Sequence, residues 1–258
     1  MHTDELMTPG TAAPAAAASA SATPVDLGAE FDYHGNRDAE DVLRWALERY
    51  SPRISLSTSF KDAVIIHMMS KIRPDFRIFA IDTGRLNEET YELAEDIRRS
   101  YGVKIDWVFP RHESVEKLER EKGLFSFKES LENRRECCYL RKVEPLSRAL
   151  QGLDAWITGL RRDQGSTRAA VQKIERDKVH GGIIKINPLS DWDSDRVWTY
   201  IRANKIPYNT LFDKGYTSIG CAPCTRPVKT GDDPRAGRWW WELDEHKECG
   251  IHIRDWSI

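Results

Sequence analysis

The sequence has few cysteines, little surplus charge and no long apolar run, and each shortage closes off a class of protein. Five cysteines in 258 residues are too few for a disulfide-framed scaffold, and a chain this long buries a core without such staples. Lys and Arg number 39 against 41 Asp and Glu, a formal net charge of -2. No bulk attraction to nucleic acid or to an anionic membrane follows, so any anion site must be local. No apolar stretch approaches the ~20 residues a membrane helix requires, and neither nucleic acid nor membrane is an expected partner. Walker Gly-x-x-x-x-Gly-Lys and dinucleotide Gly-x-Gly-x-x-Gly motifs are missing, as are internal repeats. Where a secretory leader would have a basic start and a Leu-rich middle, Asp4 and Glu5 precede only alanines, which predicts a cytoplasmic protein. In that reducing compartment cysteines serve metals or catalysis rather than structural disulfides.

What is present starts with an Ala/Ser/Thr/Pro-rich segment, residues 1–27, that lacks the large apolar groups needed to offset ordering entropy and reads as a disordered tail. Residues 28–258 read as one domain. Periodicity predicts helices over Asp38–Tyr50, Ala63–Ile72, Glu88–Tyr101, Ser114–Lys122, Arg134–Leu150 and Ser194–Ala203. Strands are expected at Arg53–Ser57, Arg77–Ile81, Lys104–Phe109, Ala155–Thr158 and Ile183–Asn187. Strand and helix alternate, which predicts an α/β fold with a mostly parallel sheet flanked by helices and ligands at the carboxyl ends of the strands. Ser57–Phe60, Asp82–Arg85 and Gly159 fall at such ends. From Asn204 onward, prolines and glycines such as Pro207, Gly215, Gly220, Pro223, Pro227 and Gly231 break every regular pattern. This irregular C-terminal segment needs order from ligation or from a ligand, and residues 229–258 read as its mobile end.

The cysteines fall into Cys137-Cys138, Cys221-x-x-Cys224 and the isolated Cys249. A C-x-x-C turn brings two thiolates to one metal centre, although a lone buried cysteine is equally a small hydrophobe. Neighbouring side chains on a helix diverge by ~100°, which suits a single tetrahedral zinc poorly and the separated corners of a [4Fe-4S] cluster better. Cys249 lies near Arg235, Arg238, His246 and Arg254, and positive neighbours raise the thiolate fraction that a nucleophile needs. Ser57, Thr58 and Ser59 offer hydroxyls and backbone N–H groups before a helix, as an anion site or as ordinary caps. Arg161, Arg162 and Arg168 crowd one loop after a strand, where guanidinium forks suit phosphate and sulfate or simply pair on the surface. Trp239-Trp240-Trp241 reads as packing for a segment with little other pattern.

Taken together, Ser57-Thr58-Ser59-Phe60, Ile81-Asp82-Thr83-Gly84-Arg85, Cys137-Cys138 with Arg141-Lys142, Trp156 through Arg168, Ile219-Gly220-Cys221-Ala222-Pro223-Cys224, Arg238-Trp239 and Glu248-Cys249-Gly250-Ile251-His252 resemble the adenylyl-sulfate and phosphoadenylyl-sulfate reductases over Ala39–Trp256. The resemblance implies a Rossmann-like, adenine nucleotide α-hydrolase-like fold. It further implies that Cys249 attacks the sulfur of adenylyl sulfate, releasing AMP and leaving an S-sulfocysteine that thioredoxin or a glutaredoxin-like dithiol resolves to sulfite, in assimilatory sulfate reduction. Carried over residue by residue, the phosphosulfate falls to Lys142, Arg168, Arg235, Arg238 and His252, and the nucleotide to Ser57, Thr58, Ser59, Asp82 and Gly159. Family members with all four of Cys137, Cys138, Cys221 and Cys224 carry a [4Fe-4S] cluster and prefer adenylyl sulfate over its 3′-phosphorylated form. Relatives with the cluster often show Gly-Ala-Glu-Asp where this chain reads Ser59-Phe60-Lys61-Asp62. The chain ends at Ile258 without a thioredoxin-like domain, so the reductant is expected as a separate protein; a homo-oligomer is compatible with the composition. A sulfur-inserting ATP-pyrophosphatase would need a Ser-Gly-Gly-x-Asp-Ser loop, which is missing, and a zinc-stapled binding module is the non-enzymatic alternative.

Overall fold

Apolar runs too short for helices and buried on both faces make the centre of the fold a parallel sheet. The computed structural model describes residues 27–242. Strand β1 (Ile54–Thr58) pairs in parallel with β2 (Ile78–Ile81), Leu56 opposite Ile78, and on its other edge with β4 (Ala155–Ile157), Leu56 opposite Ile157. Strand β3 (Ile105–Val108) extends the sheet beyond β2, while β6 (Ile183–Ile186) follows β4. Among the described residues the sheet has six strands in the order β3-β2-β1-β4-β6-β5. The sixth, β5 (Ile174–Asp177), is antiparallel to β6 and was not expected from the sequence. As an edge strand carrying Glu175, Arg176 and Asp177, it lacks the apolar run that marks its neighbours.

Helices α1 (Leu27–Gly35), α2 (Ala39–Tyr50), α3 (Val64–Ile72) and α4 (Glu88–Tyr101) follow, then α5 (His112–Lys122). The main core lies where α2, α3 and α8 (Ser194–Asn204) bury Val42, Leu43, Ile66, Met69, Val197 and Ile201 against β1, β2 and β4. A smaller apolar layer of Phe79, Leu146, Leu150 and Trp156 forms where α7 (Glu144–Ala149) meets the sheet. Arg134–Leu150, expected as one helix, runs as α6 (Leu131–Cys138), a π turn over Tyr139–Val143, and α7. The widened turn takes up an extra residue, and Cys137, Cys138, Arg141 and Lys142 are all buried along this stretch. Beyond α8 only short 3-10 turns appear among the described residues, at Thr210–Lys214 and Ala222–Cys224. No described helix is long and apolar enough to cross a membrane. The tail over 1–27, apart from the backbone of Leu27, lies outside the described residues.

Candidate active site

The order of strands reverses between the parallel neighbours β1, which leads toward β2, and β4, which leads toward β6; in open α/β sheets the crevice at such a point takes ligands. Here it holds a cavity walled by Ser57 and Thr58 at the end of β1 with Ser59 and Lys61 after it, by Thr83 after β2, and by Gly159, Arg161, Gln164 and Arg168 after β4. Lys142 from the π turn and Ser218–Cys221, Arg235 and Arg238 from the irregular segment close it. The structure thus brings Ser57, Thr58, Ser59, Lys142, Gly159, Arg168, Arg235 and Arg238 to one cavity wall. Asp82 is not on that wall: its carboxylate accepts from the Tyr91 hydroxyl at 3.0 Å and from the Gly84 N–H at 2.7 Å. It shapes the turn after β2, and burial together with Asp82 pushes the Tyr91 hydroxyl up to about 12. Cys249 and His252 lie outside the described residues.

Among the described residues, six lysines and arginines line the cavity against one acid, Asp62, whose Oδ1 caps the Val64 N–H at 3.0 Å. Arg161 is neutralised by Asp163 at 3.0 Å. Arg238 is 4 % exposed and stacks 4.4 Å over the Trp239 ring. Its Nη1 donates to the Ile219 carbonyl at 3.3 Å, whereas Nε and Nη2 are buried with no acceptor among the described residues. A Cβ on Gly220 would stand 2.4 Å from Arg238 Nη1, so glycine there makes room for the guanidinium. Lys61 has its amine lowered to about 7, first by burial and then by the facing guanidiniums of Arg168, Arg235, Arg161 and Arg238. Buried donors without acceptors and crowded cations together describe a site built for an anion.

The four described cysteines are all buried, with Cys137, Cys221 and Cys224 in one apolar cluster around Trp239, Phe127 and Leu118. Cys221 also lines the cavity, and its Sγ lies 3.3 Å from Thr83 Oγ1. Burial pushes the Cys224 thiol up to about 12, with Cys221 and Cys138 adding to it and Lys142 and Arg238 opposing. The Cys137 thiol is raised by burial as well, against Arg85 and Arg141. Among the described residues no three His, Cys, Asp or Glu side chains are grouped to hold a single metal ion. Around the cysteines, Arg141 donates to the Thr83 carbonyl at 2.8 Å and shares Glu119 with Arg85. Arg134, 2 % exposed, stacks 4.7 Å over Trp239, bonds Cys138 and pairs with Glu242 at 2.9 Å. Trp239 is thus packed among three guanidiniums, those of Arg134, Arg235 and Arg238.

A family model described as the phosphoadenosine phosphosulfate reductase domain matches residues 51–227, spanning β1 through the C-x-x-C turn. The chain belongs to this family. It is 43% identical over 235 residues to an adenosine 5′-phosphosulfate reductase of Pseudomonas aeruginosa, covering 89% of this chain and 87% of that one. With a protein of the same description from Allochromatium vinosum it shares 47% over 201 residues, 78% of each chain. Among solved structures, a phosphoadenylyl-sulfate reductase from Candida auris in a phosphate complex superposes with a TM-score of 0.68 at 32% identity, covering 81% of this chain and 98% of that one. FMN adenylyltransferase of Candida glabrata, at 15% identity and a TM-score of 0.52, shares the fold alone. Family membership and the six-stranded sheet bear out the expected Rossmann-like, adenine nucleotide α-hydrolase-like architecture.

Within this family site, several residues escaped the sequence reading. Lys61 lies in the loop Ser59-Phe60-Lys61-Asp62, where one lysine carries no motif that points to binding. Asn209 is fully buried and joins loops far apart in sequence: its Nδ2 donates to the Phe60 carbonyl and to Thr90 Oγ1, both at 3.1 Å, and its N–H to the Lys61 carbonyl at 2.8 Å. Gly220 alone had a readable signal, its place beside Cys221, though not its reason.

Proposed function

We propose that the chain reduces adenylyl sulfate to sulfite and AMP in sulfate assimilation in the cytoplasm, with thioredoxin or a glutaredoxin-like dithiol as electron donor. The observation that carries this reading is Arg238, two of whose buried donors have no acceptor among the described residues, in a cavity whose described lining holds six cations and one acid. The relatives described as adenosine 5′-phosphosulfate reductases supply the substrate. Lys142, Arg168, Arg235 and Arg238 hold the phosphosulfate, and the loop of Ser57, Thr58 and Ser59 with Gly159 holds the nucleotide. The Cys249 thiolate attacks the sulfonate sulfur; an S–S bond forms, the S–O bond to the phosphate breaks, and AMP leaves. The cationic wall stabilises the charge that grows on the departing phosphate, a role the family resemblance extends to His252. A donor thiolate then attacks Cys249 Sγ and expels sulfite, and the donor's second thiol displaces Cys249, so that the dithiol supplies both electrons as it becomes a disulfide.

The four cysteines fit a [4Fe-4S] cluster. They are buried together, come from two segments, and sit among Arg85, Arg134, Arg141, Lys142 and Arg238, which match a group of net negative charge. Cys137, Cys138, Cys221 and Cys224 would hold the cluster, which when bound supplies a structural tie and an electrostatic charge beside Lys142 rather than electrons. Protein purified without oxygen is expected to be brown and to contain iron and acid-labile sulfide in equal amounts; a colourless zinc protein defeats the cofactor assignment. For the nucleophile, Cys249→Ser is expected to lose sulfite formation while keeping AMP binding. Mass spectrometry of the wild type turning over without donor should place a sulfonate on Cys249, and finding it on another cysteine would refute the mechanism.

A further inference from the structure

We propose that Gln164 is a positioning residue for the phosphosulfate: its side-chain amide sets the Arg168 guanidinium on the cavity wall and ties it to Gly159, so that groups given to the two halves of the substrate keep a fixed relation. The inference rests on the reading of the cavity as a sulfonucleotide site.

The first support is the way the loop after β4 folds back on itself. Arg162–Gln164 form one 3-10 turn, in which the Gln164 N–H donates to the Arg161 carbonyl at 3.4 Å and Gln164 Oε1 accepts from the Arg161 N–H at 3.2 Å. The Arg162 N–H donates to the carbonyl of the fully buried Ser190 at 3.0 Å, which ties the turn to the body of the fold. At Gly165 the backbone takes a φ of 145°, open to glycine and little else, and a Cβ there would stand 3.1 Å from Arg235 Cδ. The chain therefore doubles back beside Arg235. Arg168, buried on the same cavity wall, then returns to the turn with its Nη1 donating to Gln164 Oε1 at 2.5 Å.

The second support is the chemistry of an amide at this place. Oε1 faces two donors, the Arg161 N–H and Arg168 Nη1, while Nε2 faces the Gly159 carbonyl oxygen at 3.5 Å. A group with an acceptor on one side and a donor on the other meets all three, and the flipped amide would meet none of them. A carboxylate would set its second oxygen against the Gly159 oxygen and would bring a negative charge to an anion site. An apolar side chain would take this acceptor from both the Arg161 N–H and Arg168. Glutamine thus fixes a guanidinium without adding charge to the wall, and it does so between Gly159, given to the nucleotide, and Arg168, given to the phosphosulfate.

The test uses the full chain as wild type, Gln164→Met, Arg168→Met and the double variant; methionine keeps the length of glutamine without its polar atoms. Calorimetric titration with AMP and kcat/KM for sulfite formation from adenylyl sulfate are read beside the thermal midpoints. Gln164→Met should weaken AMP and lower kcat/KM about tenfold, with a midpoint close to that of the wild type. Arg168→Met should lose as much or more. The double variant should then fall no further than Arg168→Met, because the amide acts through that guanidinium, a coupling that a merely structural glutamine would not show. Unchanged affinity in Gln164→Met, losses that multiply in the double variant, or a loss that follows a collapse of the midpoint would overturn the assignment of Gln164 while leaving the reductase reading intact. A wild type that binds AMP but forms no sulfite with a dithiol donor defeats the reductase reading, and the AMP titrations still decide the role of Gln164. A wild type that binds no AMP defeats both.

Discussion

Replacing Gly220 by alanine should disable anion binding without disturbing the fold. The added Cβ would lie 2.4 Å from Arg238 Nη1 and 2.5 Å from Cζ and Nη2. Non-bonded contacts of this kind settle near 3.5 Å, so the guanidinium must retreat by about 1 Å. That shift removes the 3.3 Å bond to the Ile219 carbonyl and turns the buried Nε and Nη2 away from the cavity. Hydrogen bonds to charged groups contribute about 1.5–3 kcal/mol, so AMP affinity and kcat/KM for sulfite formation should each fall about 10- to 100-fold. The obstructing atoms belong to the far end of a flexible side chain, and Gly220 is outside the positive-φ glycines. The thermal midpoint should therefore move little. Titration with AMP, thermal denaturation and a sulfite assay on the same preparation separate these effects. An unchanged AMP affinity would refute the role given to Arg238 and to the glycine that makes room for it.

Asn209→Ala should lower the thermal midpoint by several degrees and weaken nucleotide binding together, because it strands the fully buried Phe60 carbonyl and Thr90 hydroxyl at about 1–3 kcal/mol per unsatisfied group. Arg134→Met leaves Glu242 as a buried charge without its partner and should cost about 3–5 kcal/mol in denaturant unfolding; adding Glu242→Gln should recover part of the loss. For Lys61 the pH dependence has a definite sign. Its amine falls from an ordinary 10.5 to about 7 in the folded chain, so its penalty is complete below about 7 and is relieved as pH rises toward 10.5, where the unfolded chain still holds the proton. Nucleotide-free wild type should accordingly gain stability relative to Lys61→Met between pH 7 and 10, measured by urea midpoints; a constant difference across that range would count against the buried cation.

Much of the fold was legible because its strongest elements are locally patterned. The helix Glu88–Tyr101 has the bounds that periodicity predicts, and the apolar runs at Ile78–Ile81 and Ala155–Ile157 announce a sheet covered on both faces. Strand β5 escaped because an edge strand with three charged residues resembles a loop. The π turn at Tyr139–Val143 escaped because helical periodicity does not encode one inserted residue. Residue chemistry by itself determined that the chain has an anion-binding inventory and cysteines to spare for a cofactor. Only the tertiary structure decided that Lys61 faces four arginines, that Asp82 is spent on a turn, and that Asn209 pins the first loop from about 150 residues away. Those outcomes depend on which chain segments meet at the reversal between β1 and β4, and no local pattern carries that information.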